Sequence, residues 1–411
     1  MMNKLLRFIF AAPIVILLIG ITIVNVKIHN SPHIEVVHDD TINYDLLKEL
    51  RGIKHALHNS ADVDMQKIYP EGYLFINALY GLAWCNFIES SKDKPLTYFN
   101  EGHTEIQNAW NKINSDVGRS PFSEELPLTY GAFYTGWNTY LLGKKLSIEQ
   151  FANRDANEIA QFKKQCERID SSIKKKIYPL SYYGGAWPAD AVVCVAALSL
   201  HDKLFPLKYT TSIKAWIDKV KMKVDASGLI PHAVNPLNDE PIERARGSSQ
   251  SLILIFLKDI DDGFARAQFK IYKANFLDSK FGLTGIREYS KEESGTADID
   301  SGPVIFQMGS AATIVGMQTM QLYGERRAAA EIRNMIEALG FPLGNDDRKT
   351  YLFGLLPMAD AFIVWGHSVM NTSETKTDFT VFHIYSLILI SVLAVVLWLL
   401  FKSKRPASVN N

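Results

Sequence analysis

A pair of helices recurs six times in the middle of this chain, and that recurrence constrains the fold more than any other feature. Apolar residues across 27–378 follow helical periodicity, and no run alternates convincingly as a strand would. Twelve helices are predicted, at about 44–58, 73–90, 97–114, 129–142, 147–173, 187–203, 208–223, 246–260, 263–276, 302–323, 325–339 and 354–370. The connections alternate in length. Those leading into every second helix are long, such as 224–245 and 277–301, whereas those leaving are as short as Asp261-Asp262 or Gly324 alone. A glycine marks each long connection, at Gly72, Gly131, Gly185, Gly247, Gly302 and Gly354, 52 to 62 residues apart. A unit of this period hides its apolar face against its neighbours and stacks.

The even-numbered helices are the more apolar, as in Ala191–Leu198 or Leu252–Leu257, and a helix apolar all round is buried. The odd-numbered ones, such as Lys214–Lys221, are amphipathic and belong outside. Six inner and six outer helices imply an all-α (α/α)6 toroid. An open helical solenoid is the rival, since ring closure is not written in a sequence.

Two uncharged stretches bracket this repeat: Phe8–Val26 has 19 residues and Phe379–Phe401 has 23. Each is long enough to cross a hydrocarbon core of roughly 30 Å as a helix. A cleaved signal peptide is the alternative for the first, but its run is long and Thr22–Asn25 is a poor cleavage site. A buried core helix is the alternative for the second. The 44 Lys+Arg balance the 44 Asp+Glu, yet no acid lies in 1–26 or 379–411, where Lys4, Arg7, Lys402, Lys404 and Arg405 sit. The positive-inside rule then places both ends in the cytoplasm of a cell membrane and 27–378 outside it. The expected organisation is an anchor over 1–26, a linker over 27–43, the toroid over 44–370, a linker over 371–378, a second span over 379–401 and a basic cytoplasmic tail over 402–411.

The stretch 27–378 carries 39 basic and 44 acidic residues, a net of −5, which argues against nucleic acid as partner. Cys85, Cys166 and Cys194 are too few and too scattered for a disulfide framework or a zinc cluster, and no metal or cofactor is expected. HExxH, GxSxG and the P-loop are all absent from the sequence. Oligomeric state is left open.

If the long connections share one rim, they gather at the amino-terminal ends of the inner helices. Unpaired N–H groups and the positive end of each helix dipole there favour anionic or hydroxyl-rich ligands. Reading round that rim gives Tyr69 and Glu71; Tyr130 and Tyr134; Tyr182, Tyr183, Trp187 and Asp190; His232, Arg244 and Arg246; Glu288, Asp298 and Asp300; Tyr351 and Asp360. Aromatic faces stack on sugar rings or apolar chains, and carboxylates supply acid/base chemistry. Asp190 stands in the first turn of an apolar helix after Pro188. It either complements the dipole or works as an acid with a raised pKa.

Pro303 reads as a first helical residue, capped by Ser301 or Gly302, which leaves Asp298 and Asp300 on one side of an extended approach. One of them caps the helix or pairs with Arg246, or else they join Asp190 as a catalytic carboxylate pair. His232 is a surface or capping histidine or a proton relay, and Arg246 is able to hold a carboxylate bidentately. Cys194 reads as core packing rather than nucleophile.

Trp187–Asp202 followed by Lys203-Leu204-Phe205, then Ile213–Ile217, Asp225–Pro236 and Gly285–Gly302, resemble part of the linalool dehydratase/isomerase family. The resemblance runs from about 181 to 323, about a third of the chain, and implies an (α/α)6 barrel shared with six-hairpin glycosidases. That family uses cysteines near the start of this inner helix, where the present sequence has Asp190 and, upstream, Ser181. No catalytic residue transfers.

The expected function is a membrane-anchored carbohydrate hydrolase or lyase, with Asp190 and Asp300 or Asp298 as acid and base. Glu71, Tyr130, Tyr134, Tyr183, Trp187, His232, Arg246 and Asp360 would bind substrate, Tyr183 and Trp187 by stacking and His232 and Arg246 by orienting. The alternatives are a dehydratase/isomerase of a hydrophobic alcohol, as the resemblance implies, and a non-catalytic glycan-binding or envelope scaffold.

Overall fold

The computed structural model of the protein describes residues 4–37, 40–90, 96–370 and 375–402. Most of the basic tail and the first half of the second linker lie outside the described residues. Sixteen α-helices follow in order: α1 Lys4–Lys27, α2 Tyr44–His58, α3 Ala61–Ile68, α4 Gly72–Glu89, α5 Leu96–Ile113, α6 Asp116–Arg119, α7 Gly131–Ile148 and α8 Ala156–Lys175. Then come α9 Pro188–Leu204, α10 Thr210–Val220, α11 Gly247–Ile260, α12 Asp262–Phe276, α13 Ser310–Leu322, α14 Arg326–Leu339, α15 Pro357–His367 and α16 Thr380–Phe401.

Six of these make the inner ring. α4 packs on α7, α7 on α9, α9 on α11, α11 on α13 and α13 on α15, and α15 returns to α4. That last contact closes the toroid and excludes the solenoid. α5, α8, α10, α12 and α14 lie outside, each against the inner helix that precedes it in the chain. The sixth outer position is filled by α2, which packs on α15 and so joins the start of the domain to its end.

Sequence accounts for each layer. α4 and α9 bury residues on every face, from Leu74 to Ile88 and from Ala191 to Leu200. α8 buries only Phe162, Cys166, Ile169 and Ile173, one stripe of an otherwise charged helix. Side-chain caps start several outer helices. Asn43 accepts from the Leu46 N–H, Asp155 from Asn157 and Glu158, and Asp261 from Phe264. Gly131 opens α7 at φ +81°, and a Cβ there would stand 2.1 Å from the Ser181 carbonyl oxygen, so no other residue fits.

The barrel axis is filled by aromatic rings. Phe75 from α4 meets Phe133 and Trp137 of α7 at 5.3 and 4.9 Å and Phe362 of α15 at 5.0 Å. Deeper, Trp137 contacts Phe256 of α11 and Trp365 of α15 at 5.4 and 6.1 Å. Truncating such a ring to Ala costs about 3–5 kcal/mol.

The structure corrects several local expectations. Five two-stranded antiparallel ladders occur among the described residues, one of them (Ile34–Val37 with Asp40–Asn43) inside the stretch expected to be a linker. Their strands are two to four residues long, too short for alternation to show. The helix expected from 302 starts at Ser310 instead, because Val304–Ile305 pairs with Met308–Gly309 around a turn with positive φ at Phe306 and Gln307. Pro303 is therefore not a first helical residue. α7 runs on to Ile148 and α8 begins at Ala156, so the break expected near 143–146 lies at 149–155.

α1 and α16 are long and apolar enough to cross a membrane, and each is almost wholly outside the packed body. They form an antiparallel pair. The rings of Phe8 and Phe401 lie 5.8 Å apart, and at the other end His383 Nδ1 is 2.7 Å from Asn25 Oδ1.

Candidate active site

Glu71 precedes α4, Asp190 is the third residue of α9, Arg246 precedes α11, Asp300 lies before α13 and Asp360 is the fourth residue of α15. Glu71, Asp190, Arg246 and Asp360 stand at amino-terminal ends of inner helices, and Asp300 on the long connection that leads, through the 304–309 hairpin, into α13. The sequence missed the aromatic axis beneath them, since Phe75, Phe133 and Phe362 look like ordinary core residues until the ring is closed.

Within this rim the structure brings Glu71, Asp190 and Asp300 into one electrostatic cluster with Tyr69 and Tyr182. Asp190 is buried, and its Oδ2 accepts a hydrogen bond from the Ser181 hydroxyl at 2.5 Å. Burial pushes its pKa up to about 7; the Ser181 bond opposes that, and the charges of Glu71 and Asp300 add to it. Asp300 is solvent-exposed on its connection, yet its pKa is raised as well, first by partial desolvation of the carboxyl, then by Asp298 and Glu71, with Arg246 opposing. Burial, followed by the neighbouring acids, also raises the phenols of Tyr69 and Tyr182. The Tyr182 hydroxyl is buried and lacks a well-formed hydrogen bond. Glu71, Asp190 and Asp300 make no ion pair with Lys, Arg or His among the described residues, so the cluster carries uncompensated acidity.

Asp298 behaves differently. Its Oδ2 lies 2.6 Å from Arg246 Nη1, and its Oδ1 accepts the Ser301 N–H at 2.8 Å within a turn over 299–301. These contacts hold its pKa down to about 2 against the effect of burial. The extended approach expected for 298–300 is thus a turn that separates the two aspartates, one paired and one not. Arg246 Nε also donates to the fully buried Glu288 Oε1 at 2.8 Å. Glu288 was one of the acids read round the rim but was not expected as a site residue. His232 is buried beside this pair. Burial, then the Arg246 charge, lowers its pKa to about 4 against the pull of Asp298, so it is neutral at physiological pH.

The remaining candidates engage partners of their own. Tyr182 packs edge-on against Trp187 at 5.7 Å and stacks on Phe122 at 5.9 Å. Tyr183 is exposed, and its hydroxyl donates to Glu125 at 2.8 Å. Tyr130 bonds Glu124, and the buried Tyr134 points toward Arg119, Asn114 and the Ile113 carbonyl between α7 and α5. Asp360 Oδ1 accepts the Tyr351 N–H at 2.6 Å and lines a separate cavity of ≈ 660 Å³ between α2, α3 and the 343–357 connection. Burial pushes its pKa up to about 7, which the Tyr351 bond opposes and Glu49 reinforces. Cys194 is core, its Sγ 3.3 Å from the Ala132 carbonyl.

A second buried cluster was not read from the sequence. Glu49 of α2, Glu337 of α14 and His367 of α15 bring their side-chain atoms within 4.8 Å of one another, a geometry able to hold a cation. Lys349 already supplies that charge, its Nζ 2.8 Å from Glu337 and 3.2 Å from Glu49, and the Tyr351 hydroxyl lies 2.6 Å from both acids. The set joins the first outer helix to the last pair and serves as the clasp of the ring.

No protein-family model matches the sequence, and no curated protein matches it either. Among solved structures, a GH76 alpha-mannanase of Bacteroides thetaiotaomicron aligns over 72% of this chain and 85% of its own, at 9% identity and a TM-score of 0.44.

Proposed function

We propose that the protein is a membrane-anchored enzyme whose toroid, lying outside the cytoplasm, acts on a carbohydrate by acid/base hydrolysis or elimination. One observation carries the reading: burial pushes the Asp190 pKa up to about 7 at the helix-end rim, beside Glu71 and Asp300, which make no ion pair among the described residues. Two acids whose environments differ are what glycosidic cleavage requires, one to protonate the leaving oxygen and one to act as base or nucleophile. Asp190 takes the acid role and Asp300 the basic one, with Glu71 holding substrate hydroxyls. Trp187 and Tyr183 offer ring faces to the sugar. Arg246 and neutral His232 orient it, and Asp298 acts through Arg246 rather than on the substrate. Tyr130 belongs to the outer reach of the same rim, Tyr134 supports it from between α7 and α5, and Asp360 lines the separate cavity beside α2 and α3.

The antiparallel pairing of α1 and α16, together with basic residues at both chain ends, supports two spans with both termini in the cytoplasm. The domain limits follow the reading from sequence, 44–370 for the toroid and 379–401 for the second span. The test is a screen of oligosaccharides with the full chain, followed by Asp190→Asn on any substrate found. A catalytic acid contributes roughly 10²- to 10⁴-fold, and unchanged turnover in that variant would remove Asp190 from the mechanism. A second reading, dehydration or isomerisation of a hydrophobic alcohol, draws on the aromatic floor of Phe75, Phe133 and Phe362 beneath the acids. Turnover of alkenols and not of glycans would select it.

A further inference from the structure

The rim that carries the acid cluster also carries aromatic side chains for which the acids have no use. The hairpin Leu277–Lys280/Leu283–Ile286 turns at Phe281, and the hairpin Val304–Ile305/Met308–Gly309 turns at Phe306. Phe281 is 51% exposed, Ile305 62% and Phe306 63%. The two rings meet at 5.2 Å, and Phe281 meets Tyr385 of α16 at 5.6 Å. Gly282 presses on the first turn of α16, where a Cβ would stand 2.4 Å from the Phe382 nitrogen. The tips therefore lie beside the first turns of a helix apolar enough to cross a membrane.

The path of α14, which runs toward this rim, fixes the direction of the spans. Arg327 near its start reaches Asp378 at 3.3 Å, Arg333 donates to the Asn30 carbonyl at 2.8 Å, and Ala338 at its end packs with Ile28 and Phe379. Moving along α14 toward the long connections thus leads into α1 and α16, which leave the body past that rim. A second exposed pair, Phe341 and Phe353, stacks at 5.2 Å on the connection after α14. Phe281, Phe306, Phe341 and Phe353 all have φ between +46° and +59°. That region is costly for a bulky residue and favours Gly or Asn. Four exposed phenylalanines at such turns make physical sense where the solvent they meet is not water.

We infer that the long-loop rim is seated on the surface of the bilayer that takes α1 and α16, with Phe281 and Phe306 as interfacial anchors. The acid cluster then faces lipid headgroups. Resting on the carbohydrate reading above, the substrate class in reach is a saccharide carried on a membrane lipid.

The test uses the full chain in phospholipid nanodiscs. Cys85, Cys166 and Cys194 are all buried, so a single introduced cysteine takes the label. An environment-sensitive dye is placed at Phe306→Cys, at Phe281→Cys, or at Leu207→Cys. Leu207 is 76% exposed on the turn after α9, on the opposite rim. With acyl chains brominated near the headgroup, the dye at 306 and 281 should lose most of its emission and resist aqueous iodide, and the dye at 207 should do the reverse. Emission at both tips that bromolipid leaves unchanged overturns the seating, whether iodide reaches the dye or a second copy of the chain covers it. Once a glycan substrate is known, Phe281→Ser with Phe306→Ser should slow turnover of its alkyl-lipid form and spare the free oligosaccharide; equal slowing of both refutes the lipid-borne substrate. Finding no glycan substrate at all would count against the carbohydrate reading alone, because the quenching result is read without activity.

Discussion

Replacing Asp190 by Asn should make the toroid more stable above neutral pH while abolishing most of its activity. In the folded protein burial lifts the Asp190 pKa from an ordinary 3.8 to about 7. The folded state therefore holds a proton that the unfolded chain has lost over the window between those values. Wherever the native state binds more protons, stability falls as pH rises. The contribution is intact below pH ~4, declines through the window and is gone above pH ~7, at about 1.4 kcal/mol per pH unit. Over the whole window the loss reaches about 4 kcal/mol, or about 3 if the folded pKa is one unit lower.

Asparagine cannot ionise, and its amide still fits beside the Ser181 hydroxyl, so the variant keeps the neutral form's packing at every pH. The assay is urea unfolding of the full chain in nanodiscs, wild type against Asp190→Asn, from pH 5 to pH 8. The difference between the two curves cancels acids that are raised independently of Asp190, such as Asp360. We expect the variant's advantage to grow by about 2–3 kcal/mol across that range, or about 1 kcal/mol if the folded pKa is one unit lower. Parallel curves would mean that Asp190 ionises as it does in water, and its role as general acid would fall with that result. In the same experiment wild-type turnover should decline as pH passes about 7, the value at which Asp190 loses its proton.

Lys349→Met should cost about 3–5 kcal/mol, because it leaves Glu49 and Glu337 buried without their cation. The further change Glu337→Gln should recover part of that loss in the same melts, and no recovery would refute the clasp. Asp298→Ala should lower stability by roughly 1–3 kcal/mol through Arg246 and the Ser301 turn. Asp300→Ala should leave the melting point nearly unchanged but reduce turnover, and the opposite pattern would exchange their roles. A protease added outside the cell should spare tags at both termini and cut within 27–378. Cleavage of a tag after Asn411 would refute the two-span topology.

Much of the ring was legible because its inner helices are apolar on all sides and its outer ones only along a stripe. That contrast, with connections alternating between long and short, predicts two layers and puts one rim in charge of function. α2, α9 and α11 begin within a residue or two of where periodicity placed them. α13 does not, since the hairpin over 304–309 depends on cross-strand bonds and on left-handed turns at Phe306 and Gln307 that carry no glycine signal.

At the site, chemistry was legible residue by residue and pairing was not. Asp298 and Asp300 are two positions apart in sequence, yet Arg246 from another connection pairs with one and lowers its pKa, while desolvation and the neighbouring acids raise the other's. The sequence alone determined which helices must be buried, which ends must meet solvent and which acids stand at those ends, because hydrophobic period and helix polarity are local properties. Only the tertiary structure decided that α15 closes on α4, that Glu49 is clasped by Lys349 and His367, and that burial beside Glu71 and Asp300 raises the Asp190 pKa. Charge pairing and desolvation depend on distances between residues far apart in the chain, and those distances exist only once the ring has closed.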